Sequence, residues 1–224
     1  MTARGTHLGW WLGIGPAGKP VEITGVNRDR WVAGDVVITL AEHVLVALFP
    51  VSEIALALVK RSRVERAQCD DRGSWRVLWL TIGLSVALAI FAMSVPFGRL
   101  AGSNRTHGIL AVSLLVAGLT VRWVAILTLG RFFTVDVAIQ ANHAVVRSGV
   151  YAWVRHPSYS GPLLAFLGLG VSFENWISIL VLLVPICLAV LNRVRKEERA
   201  LAAALGSEYI EYCASTKRFI PGLI

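Results

Sequence analysis

Charge is scarce in this chain. Of its 224 residues only 16% are charged, against 55% apolar, and mean hydropathy is +0.63. That balance excludes an ordinary water-soluble domain and points to a polytopic membrane protein. Cysteine is limited to Cys69, Cys187 and Cys213, an odd number at no metal-ligand spacing, which excludes a disulfide framework and a thiolate metal site. The five histidines are scattered and suggest no zinc or di-iron centre. Internal repeats, coiled-coil heptads and low-complexity blocks are missing. So is any Ser/His/Asp constellation.

The net charge is +8. In a soluble protein this would raise the question of nucleic acid. Here the basic residues gather at the ends of apolar segments without interleaved aromatics, as positive-inside bias and attraction to anionic headgroups produce. Membrane lipids are therefore expected as partners; nucleic acid and metal are not. Lysine is the minor base, while Ala and Val abound, a hint of a GC-rich bacterial genome and so of a bacterial inner membrane.

Residues 1–32 read as a loosely ordered N-terminal segment, with Trp10 and Trp11 able to rest at an interface. Their one apolar run, Leu8 to Ile14, is short and broken by glycine, unlike a signal peptide. Residues 33–224 read as a single membrane domain. Apolar runs at about 33–59, 75–97 and 108–129 are each long enough to cross a bilayer, which takes about 20 residues. The region 158–192 is too long for one span and is interrupted by F-E-N-W, so it reads as a tight helical hairpin turning at Glu174 and Asn175.

Basic residues set the orientation. Lys60, Arg61, Arg63, Arg66, Arg72 and Arg76 lie in one loop, and Arg193, Arg195, Lys196, Arg199, Lys217 and Arg218 near the C-terminus. The loop 98–107 holds only Arg99 and Arg105. The positive-inside rule then places 60–76, 130–156 and the C-terminal segment in the cytosol and the N-terminus outside. The expected fold is all-α: about five transmembrane helices, a short hairpin for the last two, and a cytosolic C-terminal helix.

Two polar clusters fall on that face. The first is R-S-G-V-Y-A-W-V-R-H-P-S-Y-S-G at 147–161, where Pro157 suits the first turn of a helix and biases His156 towards an extended conformation. A helix start of this kind attracts carboxylates and phosphates. The second is K-E-E-R-A-L-A-A-A-L-G-S-E-Y-I-E-Y at 196–212. Arg193 and Glu197, four apart, share a helix face, followed by Leu201, Leu205, Tyr209 and Tyr212 on a related stripe. A solvated amphipathic helix would account for the second cluster alone. Glu53 and Arg122 fall at similar depth in the first and third spans and are expected to pair as a buried brace. Glu42 and His43, higher in the first span, receive no assignment.

The ordered set G-V-Y-A-W-V-R-H-P-S-Y-S-G, E-E-x-x-L and G-x-E-Y-x-x-Y resembles the isoprenylcysteine carboxyl methyltransferase family and, more distantly, the phospholipid N-methyltransferases. L-T-L-G-R-F-F-T upstream and R-F-I-P downstream also fit, so the resemblance covers 120–221. It implies S-adenosylmethionine bound at the cytosolic face and a lipid-accessible tunnel for a prenyl chain. By motif position the cofactor would contact His143, Ala144, Val145, Val146, Tyr151, His156, Pro157, Ser158, Tyr159 and Glu197. Asp136 stands where the eukaryotic enzymes carry a cofactor-contacting glutamine. Arg193 matches the family's substrate-contacting arginine.

The chemistry of these groups suits such roles. Glu197 can pair with a cationic or hydroxyl group, and Tyr151 or Tyr159 can offer a ring face to a sulfonium or an adenine. Arg193 can orient a carboxylate bidentately. Methyl transfer to a carboxylate needs no general base; His156 would act as one only for an amine acceptor. The expected activity is S-adenosylmethionine-dependent methylation of the carboxylate of an isoprenylcysteine-like or other lipid acceptor. The alternatives are a phospholipid amine N-methyltransferase, an NADPH-dependent membrane reductase of the sterol-reductase type, and a non-enzymatic membrane subunit.

Overall fold

A computed structural model describes residues 28–59, 72–133 and 144–220. Six α-helices occur there: α1 (Arg28–Val59), α2 (Arg72–Ala92), α3 (Asn104–Leu129), α4 (Pro157–Ser172), α5 (Trp176–Leu205) and α6 (Ser207–Ser215). Short 3-10 turns at Pro96–Gly98, Gly130–Phe132 and Gly149–Ala152 join them, and isolated β-bridges are the only extended pairing among the described residues. Contacts divide the chain into two units, Met1–Val36 and Val37–Ile224, the division falling within α1.

The protein is an all-helical integral membrane protein. Gly34–Leu56, Asn104–Leu129 and Trp176–Leu205 are long and apolar enough to cross a membrane, and Arg76–Ala92 is a shorter apolar helix. On α2 the stripe Leu80, Leu84, Leu88 and Phe91 faces outward, as lipid contact demands. The opposite face, with Ser85, Ala89 and Ala92 buried, packs on α5, where Ser178 Oγ donates to the Ala89 carbonyl at 2.8 Å.

Helices α3 and α4 meet backbone to backbone. A Cβ on Gly118 would stand 2.6 Å from Ala165 N and Gly161 O; one on Gly161 would stand 2.6 Å from Arg122 N. A Cβ on Gly168 would likewise crowd α3, standing 2.9 Å from the Ala111 carbonyl. Helices in lipid associate through such small residues because apolar burial gives them little net gain over lipid contact. Leu115, Leu119, Phe166, Leu182, Ile186 and Val190 form the adjoining core, and Phe49 of α1 meets Phe166 edge-on at 5.0 Å between centroids.

The hairpin α4–α5 turns where expected. Glu174 adopts a left-handed φ of 50°, and its carbonyl accepts from Leu100 N at 2.9 Å. Asn175 caps α5: its Oδ1 accepts from Ile177 N and Ser178 N, while its Nδ2 donates to the Ala92 and Val95 carbonyls, both at 3.1 Å. One buried amide thus closes two helix ends.

Several boundaries differ from the sequence reading. α1 starts at Arg28, ahead of 33, the helix taking in the charged Arg28, Asp29 and Arg30 that precede the apolar run. α2 ends at Ala92, short of 97, since Pro96 disfavours helix in the residue before it and opens a 3-10 turn. α3 starts at Asn104, ahead of 108, where Ser103 Oγ caps Thr106 N at 3.2 Å. His156 takes φ −124° with ψ only 51°, short of fully extended.

Candidate active site

The two sequence clusters come together. Helix α5 runs through Glu197 and Glu198 to Leu205 without interruption, and Gly206, at φ 59°, turns the chain into α6. That turn lays α6 back towards the 3-10 turn before α4, where Tyr212 Oη donates to the Tyr151 carbonyl at 2.7 Å. The segment after α6 then runs beside the start of α4. Arg155 N donates to Lys217 O at 2.7 Å, His156 N to Arg218 O at 2.9 Å, and Ser160 Oγ to Phe219 O at 2.9 Å.

Glu198 holds this junction. Its carboxylate accepts from Arg155 Nε at 3.2 Å and from Arg218 Nε at 3.0 and 3.1 Å, and stands 3.3 Å from His156 Nε2. Arg155 also donates to the carbonyls of Cys213 and Thr216. Hydrogen bonding to Glu198 holds the Arg218 guanidinium above its ordinary pKa. Three bases from two segments therefore converge on one acid.

Beside this clasp, Arg193 is buried at 2% exposure and donates through Nε to Tyr159 Oη at 3.0 Å. Tyr159 Oη donates in turn to Glu197 Oε2 at 2.8 Å. The phenol stands between a cation and an anion one turn apart on the same helix face. On the opposite wall, Arg122 binds Glu53 in the expected pair, with Nε to Oε1 at 2.8 Å and Nη2 to Oε2 at 2.7 Å. Its remaining Nη1 donates to the Ser158 carbonyl at 2.5 Å, and its guanidinium lies 5.4 Å from the Phe133 ring centroid. The brace thus fixes the first turn of α4 as well as α1.

Glu53, Arg122, Tyr159, Arg193 and Glu197, with Arg155 and His156 of the clasp, border one cavity of about 440 Å³, which Glu198 and Arg218 do not line. Its polar part is lined by Glu53, Arg122, Tyr159, Arg193, Glu197 and Tyr209. It continues between Val46, Phe49, Ile82, Val86, Phe166 and Ile186, an apolar passage along α1, α2, α4 and α5. A polar pocket opening into an apolar groove suits an amphiphile with a charged end and a hydrocarbon tail.

Of the residues singled out in the sequence, Ala144, Val145, Val146, Tyr151, His156, Ser158, Tyr159, Arg193 and Glu197 all line this cavity. Pro157 is buried at the first position of α4 and is not among the lining residues. Asp136 and His143 lie outside the described residues. Burial raises the pKa of the Tyr151 phenol, and that of Tyr212 to about 12, so both stay protonated at neutral pH.

Sequence reasoning missed the role of Glu198. The E-E pair offers two acids about 100° apart on a helix. The motif assigns a role to Glu197 alone, while Glu198 takes the neighbouring bases. Tyr209 and Tyr212 were placed on a stripe but not in the site. Glu53 and Arg122 were expected as a brace and turn out to line the cavity too. No group of three or more His, Cys, Asp or Glu able to hold a metal occurs among the described residues.

A helical membrane protein with an arginine, a tyrosine and a glutamate aligned at the head of an apolar groove is the class that fold and site define. Residues 110–203 match the model of the isoprenylcysteine carboxyl methyltransferase (ICMT) family, so the resemblance carried by the motifs holds over that part of the chain. Protein-S-isoprenylcysteine O-methyltransferase B of Arabidopsis thaliana is 33% identical over 112 residues, covering 49% of this chain and 57% of that protein. The Saccharomyces cerevisiae protein-S-isoprenylcysteine O-methyltransferase is 32% identical over 106 residues, 46% of this chain and 44% of its own length. The cobalt-zinc-cadmium resistance protein CzcN of Cupriavidus metallidurans is 36% identical over 118 residues, 53% of this chain and 49% of its own. The chain spans about half the length of these curated relatives. A solved structure of the eukaryotic intramembrane Ras methyltransferase ICMT shares the fold, with a TM-score of 0.53, 23% identity, and coverage of 85% of this chain and 68% of that one.

Proposed function

We propose that this protein is an S-adenosylmethionine-dependent membrane methyltransferase acting on the carboxylate of an isoprenylcysteine-like or other lipid acceptor. The observation that carries the reading is the line Arg193–Tyr159–Glu197 at the head of the apolar passage. It offers a cation for an acceptor carboxylate and an anion for a cationic cofactor, held apart by a neutral phenol.

The residues present fit that cofactor. Glu197 keeps a carboxylate at the cavity wall for its ammonium or hydroxyl groups, and the rings of Tyr151 and Tyr159 border the same space. Ala144, Val145 and Val146 supply the rest of that wall. When bound, S-adenosylmethionine supplies an electrophilic methyl on a sulfonium sulfur. Arg193 orients the acceptor carboxylate, and its buried position excludes water that would otherwise solvate the nucleophile. No base is required. His156, facing Glu198, positions the start of α4 and would serve as a base only towards an amine. The positive-inside bias of the basic segments supports a site on the cytosolic face and an N-terminus outside, in a protein with five helices across a bacterial inner membrane.

The deciding experiment offers labelled S-adenosylmethionine to detergent-purified protein with a panel of lipid-like acceptors, some bearing a free carboxylate and some an amine headgroup. Label in base-labile ester on the carboxylates supports the proposal. Label confined to amines would make the protein an N-methyltransferase, and no label with any acceptor would sink the reading.

A further inference from the structure

Tyr209 lies on α6, beyond the residues 110–203 that match the family model. Its side chain is 4% exposed and lines the cavity. Its ring lies tilted against Tyr212, with centroids 6.1 Å apart. The two phenols differ in one respect. Tyr212 Oη is satisfied by the Tyr151 carbonyl, whereas the buried hydroxyl of Tyr209 has no oxygen or nitrogen partner and meets only the weakly bonding Cys213 thiol.

A buried hydroxyl with no partner better than a thiol is unfavourable for the fold, and such groups are rare enough to need an explanation. Phenylalanine would fill the same space without that penalty. The explanation with chemical content is a group that reaches the hydroxyl when the cavity is filled. Burial holds this phenol well above its ordinary pKa, and Cys213, Glu198 and Glu197 push it the same way, so it keeps its proton and can donate.

We infer that Tyr209 is a ligand-binding residue of the site, its hydroxyl donating to an acceptor oxygen or nitrogen of a polar, nucleoside-type ligand seated beside Glu197. This rests on the methyl-donor reading above and extends it to the C-terminal helix. It makes α6 a wall of the site rather than a surface helix, clamped by Tyr212 and completed by Tyr209.

The test compares full-length wild type with Tyr209→Phe, with Tyr212→Phe as the contrast. S-adenosylhomocysteine binding is measured by calorimetry, and thermal unfolding is followed without ligand. Tyr209→Phe should bind about tenfold more weakly, the worth of one buried hydrogen bond. Its ligand-free midpoint should be no lower than that of wild type, because the fold loses only a weak contact to a thiol. Tyr212→Phe should lower the ligand-free midpoint, because it strips a bond that the fold uses. Unchanged affinity in Tyr209→Phe would overturn the inference. So would weaker affinity together with a lowered midpoint, which would make the hydroxyl a structural group. Wild type that fails to bind at all would overturn the methyl-donor reading and this inference with it, a result that no behaviour of Tyr209→Phe can mimic.

Discussion

Arg122 and Glu53, 69 residues apart in the chain, meet through two parallel hydrogen bonds of 2.8 and 2.7 Å, and the arginine spends its remaining arm on the Ser158 carbonyl. The side chains are only 11% and 15% exposed. Such a fork locks α1, α3 and the first turn of α4 to one another.

Removing one partner should cost more than removing both. Arg122→Ala leaves an uncompensated carboxylate and should destabilise the protein by about 3–5 kcal/mol, whereas an apolar pair such as Arg122→Met with Glu53→Leu should lose much less. A double-mutant cycle read by thermal unfolding in detergent checks this. Additive losses would mean that the pair is not coupled.

Arg193 and Glu197 should fail differently. Arg193→Ala should leave S-adenosylhomocysteine affinity near wild type while abolishing methyl transfer. Glu197→Gln should weaken that affinity by about 1–3 kcal/mol, the worth of a hydrogen bond to a charged group. Calorimetry and a turnover assay on the same preparations separate the two. Loss of cofactor affinity in Arg193→Ala would reverse the division of roles.

Glu198→Gln should act on architecture. It removes the charge on which Arg155, His156 and Arg218 converge, so proteolysis after residue 215 should speed up and the unfolding midpoint should fall. Arg218 loses the partner that raises its pKa, and because its side chain is 40% exposed its share of the loss should be small. Limited digestion followed by mass spectrometry reads the outcome, and an unchanged cleavage rate would contradict a clasp.

Gly161→Ala should be harmful out of proportion to its size. The added carbon would sit 2.6 Å from Arg122 N and 2.7 Å from Gly118 O, forcing α3 and α4 apart. Packed backbones cannot yield as a flexible side chain can, and overpacking typically costs about 1–3 kcal/mol. The displacement would also move Ser158 and Tyr159, so turnover should drop alongside stability. Gly73→Ala, where nothing lies within 4 Å of the new carbon, is the neutral comparison.

The hairpin was legible because F-E-N-W breaks an apolar run too long for one span and too short for two with a loop. The meeting of the two polar clusters was legible because charge bias put both on one side of the membrane. The Glu53–Arg122 pair was legible too: two opposite charges at matching depth in lipid have few other partners. The clasp was not legible. It depends on backbone groups of 217–219 pairing with 155, 156 and 160, and main-chain pairing leaves no side-chain signature. The role of Glu198 was hidden for the same reason, since Arg218 becomes its neighbour only once that segment is laid down. The helix starts were misjudged where capping, at Ser103, rather than hydropathy decides them.

The clasp also imposes an order of events. Residues 155 and 156 wait for main-chain partners at 217 and 218, and Arg155 for the carbonyls of 213 and 216. During synthesis every helix through α5 leaves the ribosome before those partners do. The pocket head is therefore completed only after α5, and a nascent chain whose helices through α5 have formed has no finished site until residues 213–218 are laid down.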